Sequence, residues 1–245
     1  MNRKKRTTIA LSIVLATMLV VAVTYAYFTA EDTVENIFVI GNIDIDLDEP
    51  GWEPPDPDDL LPGSTLYKDP TVTSIPGSVD SYMRMVVEFR NLDSSKNPIA
   101  GNAGLITDPA RLALILDTMW FDTTYAGVNA PGTNLIKGEK YTLETLQNMA
   151  GVLNPVNTAE FTPETTAAMQ QTGRLIFNFD EIFSAGDTAT LFSHIVIPSC
   201  YDSDDFAVLH GANGYAITVT AQAIQVSGFD TAAEAFEALH DRKYS

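Results

Sequence analysis

The chain has 245 residues, 45% of them apolar, with 32 acidic against 14 basic side chains and a formal net charge of −18. That excess of acid excludes nucleic acid and anionic lipid headgroups as partners, since both need Lys and Arg to release counterions or meet phosphate. Cys200 is the only cysteine, which excludes an intrachain disulfide, and the length is enough for one domain with a sizeable core.

The first six residues, MNRKKR, carry four positive charges, and an uncharged stretch rich in Leu, Ile, Val and Ala follows from Thr7 to Ala26. A basic start, an apolar middle and small residues near Thr24 and Ala26 predict a signal peptide over 1–26, cut between Ala26 and Tyr27. The alternative is an uncleaved helix with Tyr25 and Tyr27 at the interface and its basic end in the cytoplasm, which would be the chain's only membrane contact. Either way residues 27–245 lie outside. Removing the four basic groups leaves 10 against 32 acidic ones, or −22 for the mature chain.

Strand-like alternation then dominates. Ile43, Ile45 and Leu47 share one face and Asp44, Asp46 and Asp48 the other. Met83, Met85, Val87 and Phe89 point inward from a strand over 82–90, with Arg84, Glu88 and Arg90 outward. Leu175, Phe177 and Phe179 repeat the pattern, as do Leu191, Ile195 and Ile197, and Tyr215 to Ala223 makes a long strand whose phase shifts near Ile224 and Val226, as a bulge would cause. One-sided strands joined by Gly and Pro turns predict an all-β fold, an antiparallel β-sandwich.

Two stretches interrupt it. PGWEPPDPDDLLPG, residues 50–63, has too many prolines for a sheet and reads as a stiff exposed loop. Residues 94–172 are expected to form a helical insertion, with helices at Pro109 to Met119 and Leu143 to Val152. A C-terminal helix over about 230–241 starts at a capping box, Thr231 to Glu234, and its apolar stripe of Ala232, Ala235, Phe236 and Leu239 would close one end of the sandwich.

Chemistry-bearing motifs are few. No serine nucleophile elbow or phosphate-binding glycine loop is present, and nothing local supports Cys200 as a nucleophile. Asp56, Asp58 and Asp59, and Asp202, Asp204 and Asp205, offer oxygens to Ca²⁺ but match no EF-hand loop; no cofactor is assigned. Trp52, Trp120, Phe121 and Tyr125 are the aromatics a carbohydrate- or protein-binding module would use, with Trp120 and Phe121 expected to pack the insertion onto the core.

Several stretches together resemble the TasA and camelysin family of Gram-positive bacteria: Thr24-Tyr-Ala-Tyr-Phe-Thr after the export segment, Asn36-Ile-Phe-Val-Ile-Gly-Asn-Ile-Asp-Ile, Leu61-Pro-Gly-Ser-Thr-Leu-Tyr-Lys68, and Ala221-Gln-Ala-Ile-Gln-Val-Ser-Gly-Phe-Asp-Thr-Ala-Ala-Glu-Ala-Phe236. The resemblance implies a jelly-roll sandwich, processing by a SipW-type signal peptidase, and export to the cell surface or biofilm matrix, where family members assemble into fibres. Assembly is physically reasonable for the N-terminal segment. Ile37 and Val39 on one face and Phe38 and Ile40 on the other would each cost roughly 1.5–3 kcal/mol to leave in water, so residues 27–40 must pair with their own sandwich or with the next subunit of a homo-oligomer or fibre.

Camelysin-type relatives are also classed as metallopeptidases, and a zinc peptidase commonly carries H-E-x-x-H on one helix. The three histidines here form no such pair: His194 is expected in a strand, His210 in a turn and His240 at the end of the last helix. The expectation is a non-catalytic structural protein, with a metallopeptidase and a monomeric binding module as the alternatives.

Overall fold

A computed structural model describes residues 29–32, 43–52, 61–128, 133–164 and 172–244. In chain order these contain β1 (Thr29–Asp32), β2 (Ile45–Asp48), β3 (Thr65–Tyr67), β4 (Thr71–Ser74), β5 (Ser81–Asn91), α1 (Pro109–Leu116), β6 (Met119–Asp122), α2 (Leu143–Asn148), β7 (Leu153–Asn154), β8 (Phe161–Pro163), β9 (Arg174–Phe179), β10 (Thr188–Thr190), β11 (His194–Val196), α3 (Ser203–His210), β12 (Tyr215–Gln225) and α4 (Ala232–Tyr244). The predicted signal peptide, the cleavage residues Ala26 and Tyr27, and Ile37, Phe38, Val39 and Ile40 lie outside the described residues.

The fold is predominantly antiparallel sheet, arranged as a sandwich. One layer is a five-stranded sheet in the order β1-β12-β5-β9-β8. The other is divided into a three-stranded sheet, β10-β4-β2, and a four-stranded sheet, β3-β11-β6-β7. Every pair of named strands is antiparallel. Alternation explains the division of faces: Met83, Met85, Val87 and Phe89 of β5 and Val219, Ala221 and Ala223 of β12 meet Ile45, Val72, Ala189 and Ile195 in one continuous core.

Both layers also carry apolar groups on their outer faces. Ile224 packs with Ala235 and Phe236 of α4 and with Tyr82, so α4 lies across the outside of the five-stranded sheet and does not close an end of the sandwich. This accounts for the phase shift expected to be a bulge. β12 pairs with β5 without interruption from Tyr215↔Asn91 to Gln225↔Ser81, and Ile224 is apolar because a helix covers its side of the strand. Val196, on the four-stranded sheet, is covered by Leu135, Leu146 and Leu153 in the same way.

The run from Leu191 to Ile197 also differs from a single alternating strand. β10 and β11 belong to different small sheets, and the chain crosses between them at Leu191–Ser193. Residues 191–198 are buried throughout, which is why a period-two reading carries the strand back to Leu191 although β11 spans only His194–Val196.

Between 94 and 172 the described residues hold α1 and α2 together with β6, β7 and β8. Asp108 caps α1 by accepting from Arg111 N at 2.8 Å, with Pro109 in the first turn. The helix stops at Leu116, three residues earlier than expected, as Thr118 Oγ1 donates to Ile115 O at 2.6 Å and the chain turns into β6. Thr142 caps α2, which ends at Asn148. At α4 the reciprocal cap is displaced by one residue: Thr231 Oγ1 accepts from Glu234 N, while Glu234 Oε2 accepts from Asp230 N.

Candidate functional site

The feature that stands apart from a closed sandwich is the side of β12 facing β1. β1 pairs only with its far end, Thr29↔Ile224 to Asp32↔Ala221, so Tyr215–Thr220 has no strand beside it on that edge among the described residues. Beside this part of β12 lies an apolar groove of about 670 Å³. Leu66 of β3, Ile195 and Ile197 form one wall, Ile217 and Tyr215 of β12 another, and Phe206 and Leu209 of α3 close the end. Open strand edges and apolar grooves are the two features that β-strand addition uses.

A buried arginine holds this wall in place. Arg111 of α1 donates from Nε to Leu209 O at 3.1 Å and from Nη2 to His210 O and Gly214 O at 2.9 and 3.1 Å, while Nη1 reaches Asn91 Oδ1 at 2.6 Å. It thus satisfies carbonyls at the C-terminus of α3 and at the turn entering β12, groups a helix end otherwise leaves unbonded. Gly211, at φ 60°, is required there, because a Cβ would sit 2.7 Å from the guanidinium carbon. Burial lowers the Arg111 pKa, with Tyr215 and Asp108 opposing.

The rim of the groove is built from the stretch Leu61–Lys68. Gly63 N donates to Ile197 O at 2.8 Å, Lys68 Nζ contacts Glu49 Oε1 at 2.6 Å and sits 4.7 Å from the centre of the Trp52 ring. Asp69, also buried, accepts from Gly51 N at 2.7 Å and from Tyr125 Oη at 2.5 Å.

A second polar cluster lies inside the four-stranded layer. Asp122 is fully buried, and its carboxylate accepts from Thr124 N and Oγ1, from Asn134 N and Nδ2, and from Leu135 N. Burial alone would raise its pKa, but these bonds outweigh it and hold the carboxyl below its ordinary value. His194 is fully buried beside it, with Nδ1 2.8 Å from Ser193 Oγ and its ring against Tyr67 and Tyr125. Burial pushes its pKa down to about 4, against the pull of Asp122 and of the Leu135 backbone.

The three histidines considered for zinc fall in separate elements. His194 is buried in β11, His210 is exposed as the last residue of α3 and not in a turn, and His240 falls in α4. Among the described residues no three His, Cys, Asp or Glu side chains converge as a set that could hold an ion. Asp202 is the N-cap of α3, accepting from Asp204 N and Asp205 N; these bonds lower its pKa and account for that acidic run as a helix start. Asp56, Asp58 and Asp59 lie outside the described residues. Cys200 is exposed. No helix among the described residues is long and apolar enough to cross a membrane.

Of the four aromatics, Trp52 is half-buried at the groove, Trp120 packs in the cluster of Leu135 and Leu146, and Phe121 and Tyr125 share a different cleft. Sequence reasoning missed Arg111 and Asp122. The first had a signal in a lone Arg within PARLALIL, the second in Asp122-Thr-Thr, a pattern in which an Asp side chain bonds the backbone two residues on.

No curated protein and no solved structure significantly matches the chain. Residues 2–97 match the family model described as camelysin metallo-endopeptidase, a span that includes β1 to β5 and the Leu61–Lys68 rim of the groove. Over that span the resemblance to the TasA and camelysin family is supported.

Proposed function

We propose that this is an exported, non-catalytic structural protein of the cell surface or biofilm matrix, assembling into fibres by pairing of N-terminal strands between subunits. A SipW-type peptidase would free Tyr27 as the new N-terminus, and residues 27–40 would then pair along β12 of the next copy. The observation that carries the reading is the incomplete cover of β12: β1 takes Ala221–Ile224 and leaves Tyr215–Thr220 open on that side among the described residues. Extending the register in which Asp32 meets Ala221 sets residues 33–38 against Thr220–Tyr215, so Phe38 would reach Tyr215 at the mouth of the apolar groove. The same register can be satisfied within one chain or between two, the exchange that converts a monomer to an assembly at low cost. Ile37, Phe38, Val39 and Ile40 supply the apolar surface that makes the exchange favourable.

Deleting residues 27–40 and imaging the purified chain by electron microscopy tests the reading. Fibres should be lost; fibres of unchanged number and length would count against it. The second reading, a surface metallopeptidase, is favoured by the description of the matching family. Metal analysis of untagged protein with a casein cleavage assay separates the two, since stoichiometric zinc and chelator-sensitive cleavage would overturn the structural role.

A further inference from the structure

A second cleft, of about 430 Å³, opens at the seam between the two small sheets, where β6 and β7 approach β10. Its size is within the range of small-molecule sites, and its lining differs in kind from the apolar groove. Asn154, Asn157, Thr123, Thr158 and Glu160 supply amides, hydroxyls and one carboxylate, Tyr125 and Phe121 supply aromatic surface, and no Lys, Arg or His takes part.

The floor of this cleft is fixed before any ligand arrives. Asn157 is buried; its Nδ2 donates to Glu160 Oε2 at 2.8 Å and to Thr190 O at 3.1 Å, while its Oδ1 accepts from Ala159 N at 3.3 Å. The Tyr125 ring is held through its hydroxyl by Asp69 and by edge contact with His194. By contrast, the side chains of Asn154, Thr123 and Thr158 make no hydrogen bond to other described residues, although they line the same space. Groups left free beside groups locked in place are what a preorganised polar site requires.

We propose that this cleft binds a neutral saccharide. Vicinal hydroxyls of a sugar both donate and accept, so they pair with the free Asn154 amide and the remaining oxygen of Glu160 together, and the C–H face of the ring lies against Tyr125. With no cation in the lining and a net charge of −18 on the chain, an acidic glycan or a phosphorylated polymer is repelled. The site is separate from the β12 edge and does not depend on assembly.

The test is NMR titration and calorimetry of the full chain with cellotriose, maltotriose and the β-1,4 trimer of N-acetylglucosamine, with tetralysine as a peptide control. At least one trimer should bind with shifts confined to residues 121–125, 154–160 and 188–190, and Asn154→Ala and Glu160→Gln should each weaken it by about tenfold, the loss of one good hydrogen bond to a charged or preorganised group. Thr158→Val provides a third variant should either of these unfold. Absence of binding by all three trimers, binding unchanged by the substitutions, or binding of tetralysine in place of sugar would each overturn the proposal. Loss of fibres in the 27–40 deletion with sugar binding intact would keep the two readings apart.

Discussion

The two halves of β12 are one continuous strand with two different surroundings. From Ala221 to Ile224 every residue is buried, with β5 on one side, β1 on the other and α4 across the outer face. From Tyr215 to Thr220 only Val219 is buried, β5 is the one strand partner among the described residues, and an apolar groove runs alongside. The difference shows that the first half is entered directly from α3, anchored by Arg111 and left open at an edge, while the second half is sealed by β1 from the other end of the described chain and by α4, which follows it.

The largest effect should come from removing the anchor of the open half. Arg111→Ala removes the arginine donors from Leu209 O and Gly214 O and leaves His210 O with Gly214 N alone, and should cost about 4 kcal/mol in chemical denaturation, with fibre formation lost as the groove wall loosens. Arg111→Lys should recover only part, since an ammonium cannot reach Leu209, His210 and Gly214 with the same planar fork.

An effect of up to roughly 3 kcal/mol should follow acidification, and it loads the opposite layer while leaving both halves of β12 intact. His194 is held down to about 4 from 6.5, so between those values the unfolded chain takes up a proton that the folded chain does not. Stability is therefore full above pH 6.5 and falls as pH falls toward 4. His194→Gln should flatten the denaturation midpoint across that window. Below it Asp122 contributes in turn, because its folded pKa is lowered and the stability it gives above 3.8 is lost on further acidification.

Removing the roof of the sealed half should cost about the same, near 3 kcal/mol for Phe236→Ala. Fibres should persist once the variant is folded, since the ring lies under Arg84 and beside Ile224, away from the open edge. The smallest stability change, about 1–2 kcal/mol, is expected for Ile217→Lys, a half-buried groove residue packed against the edge of the core; yet this variant should abolish fibres. If Phe236→Ala stops assembly while Ile217→Lys permits it, the contrast between the halves is reversed.

Much of the sandwich was legible because its inner faces follow period two: Met83, Met85, Val87 and Phe89 are all buried as the pattern requires. Errors occurred where a second surface was covered. Ile224 looked out of phase because α4 begins only at Ala232, and the crossing at Leu191–Ser193 was invisible because burial on all sides erases alternation. The groove was not legible for a different reason, since it joins Leu66, Ile195 and Ile217, which no local spacing relates. Asp122 and Arg111 were hidden because a charged side chain in isolation reads as solvated, and only tertiary contacts reveal how many donors or acceptors surround it.

The ties around Gly51 and Lys68 give the proline-rich stretch an engineering use. Gly51, bonded to Asp69, and Trp52, beneath Lys68, fix one end, while Leu61 N donates to Ser64 Oγ and Gly63 N to Ile197 O at the other. Both ends are thus secured by contacts of their own residues, and lengthening a connection costs only about 0.6 kcal/mol per doubling. A peptide tag or fluorescent reporter inserted there should leave the sandwich standing and label the protein without occupying either end of the chain.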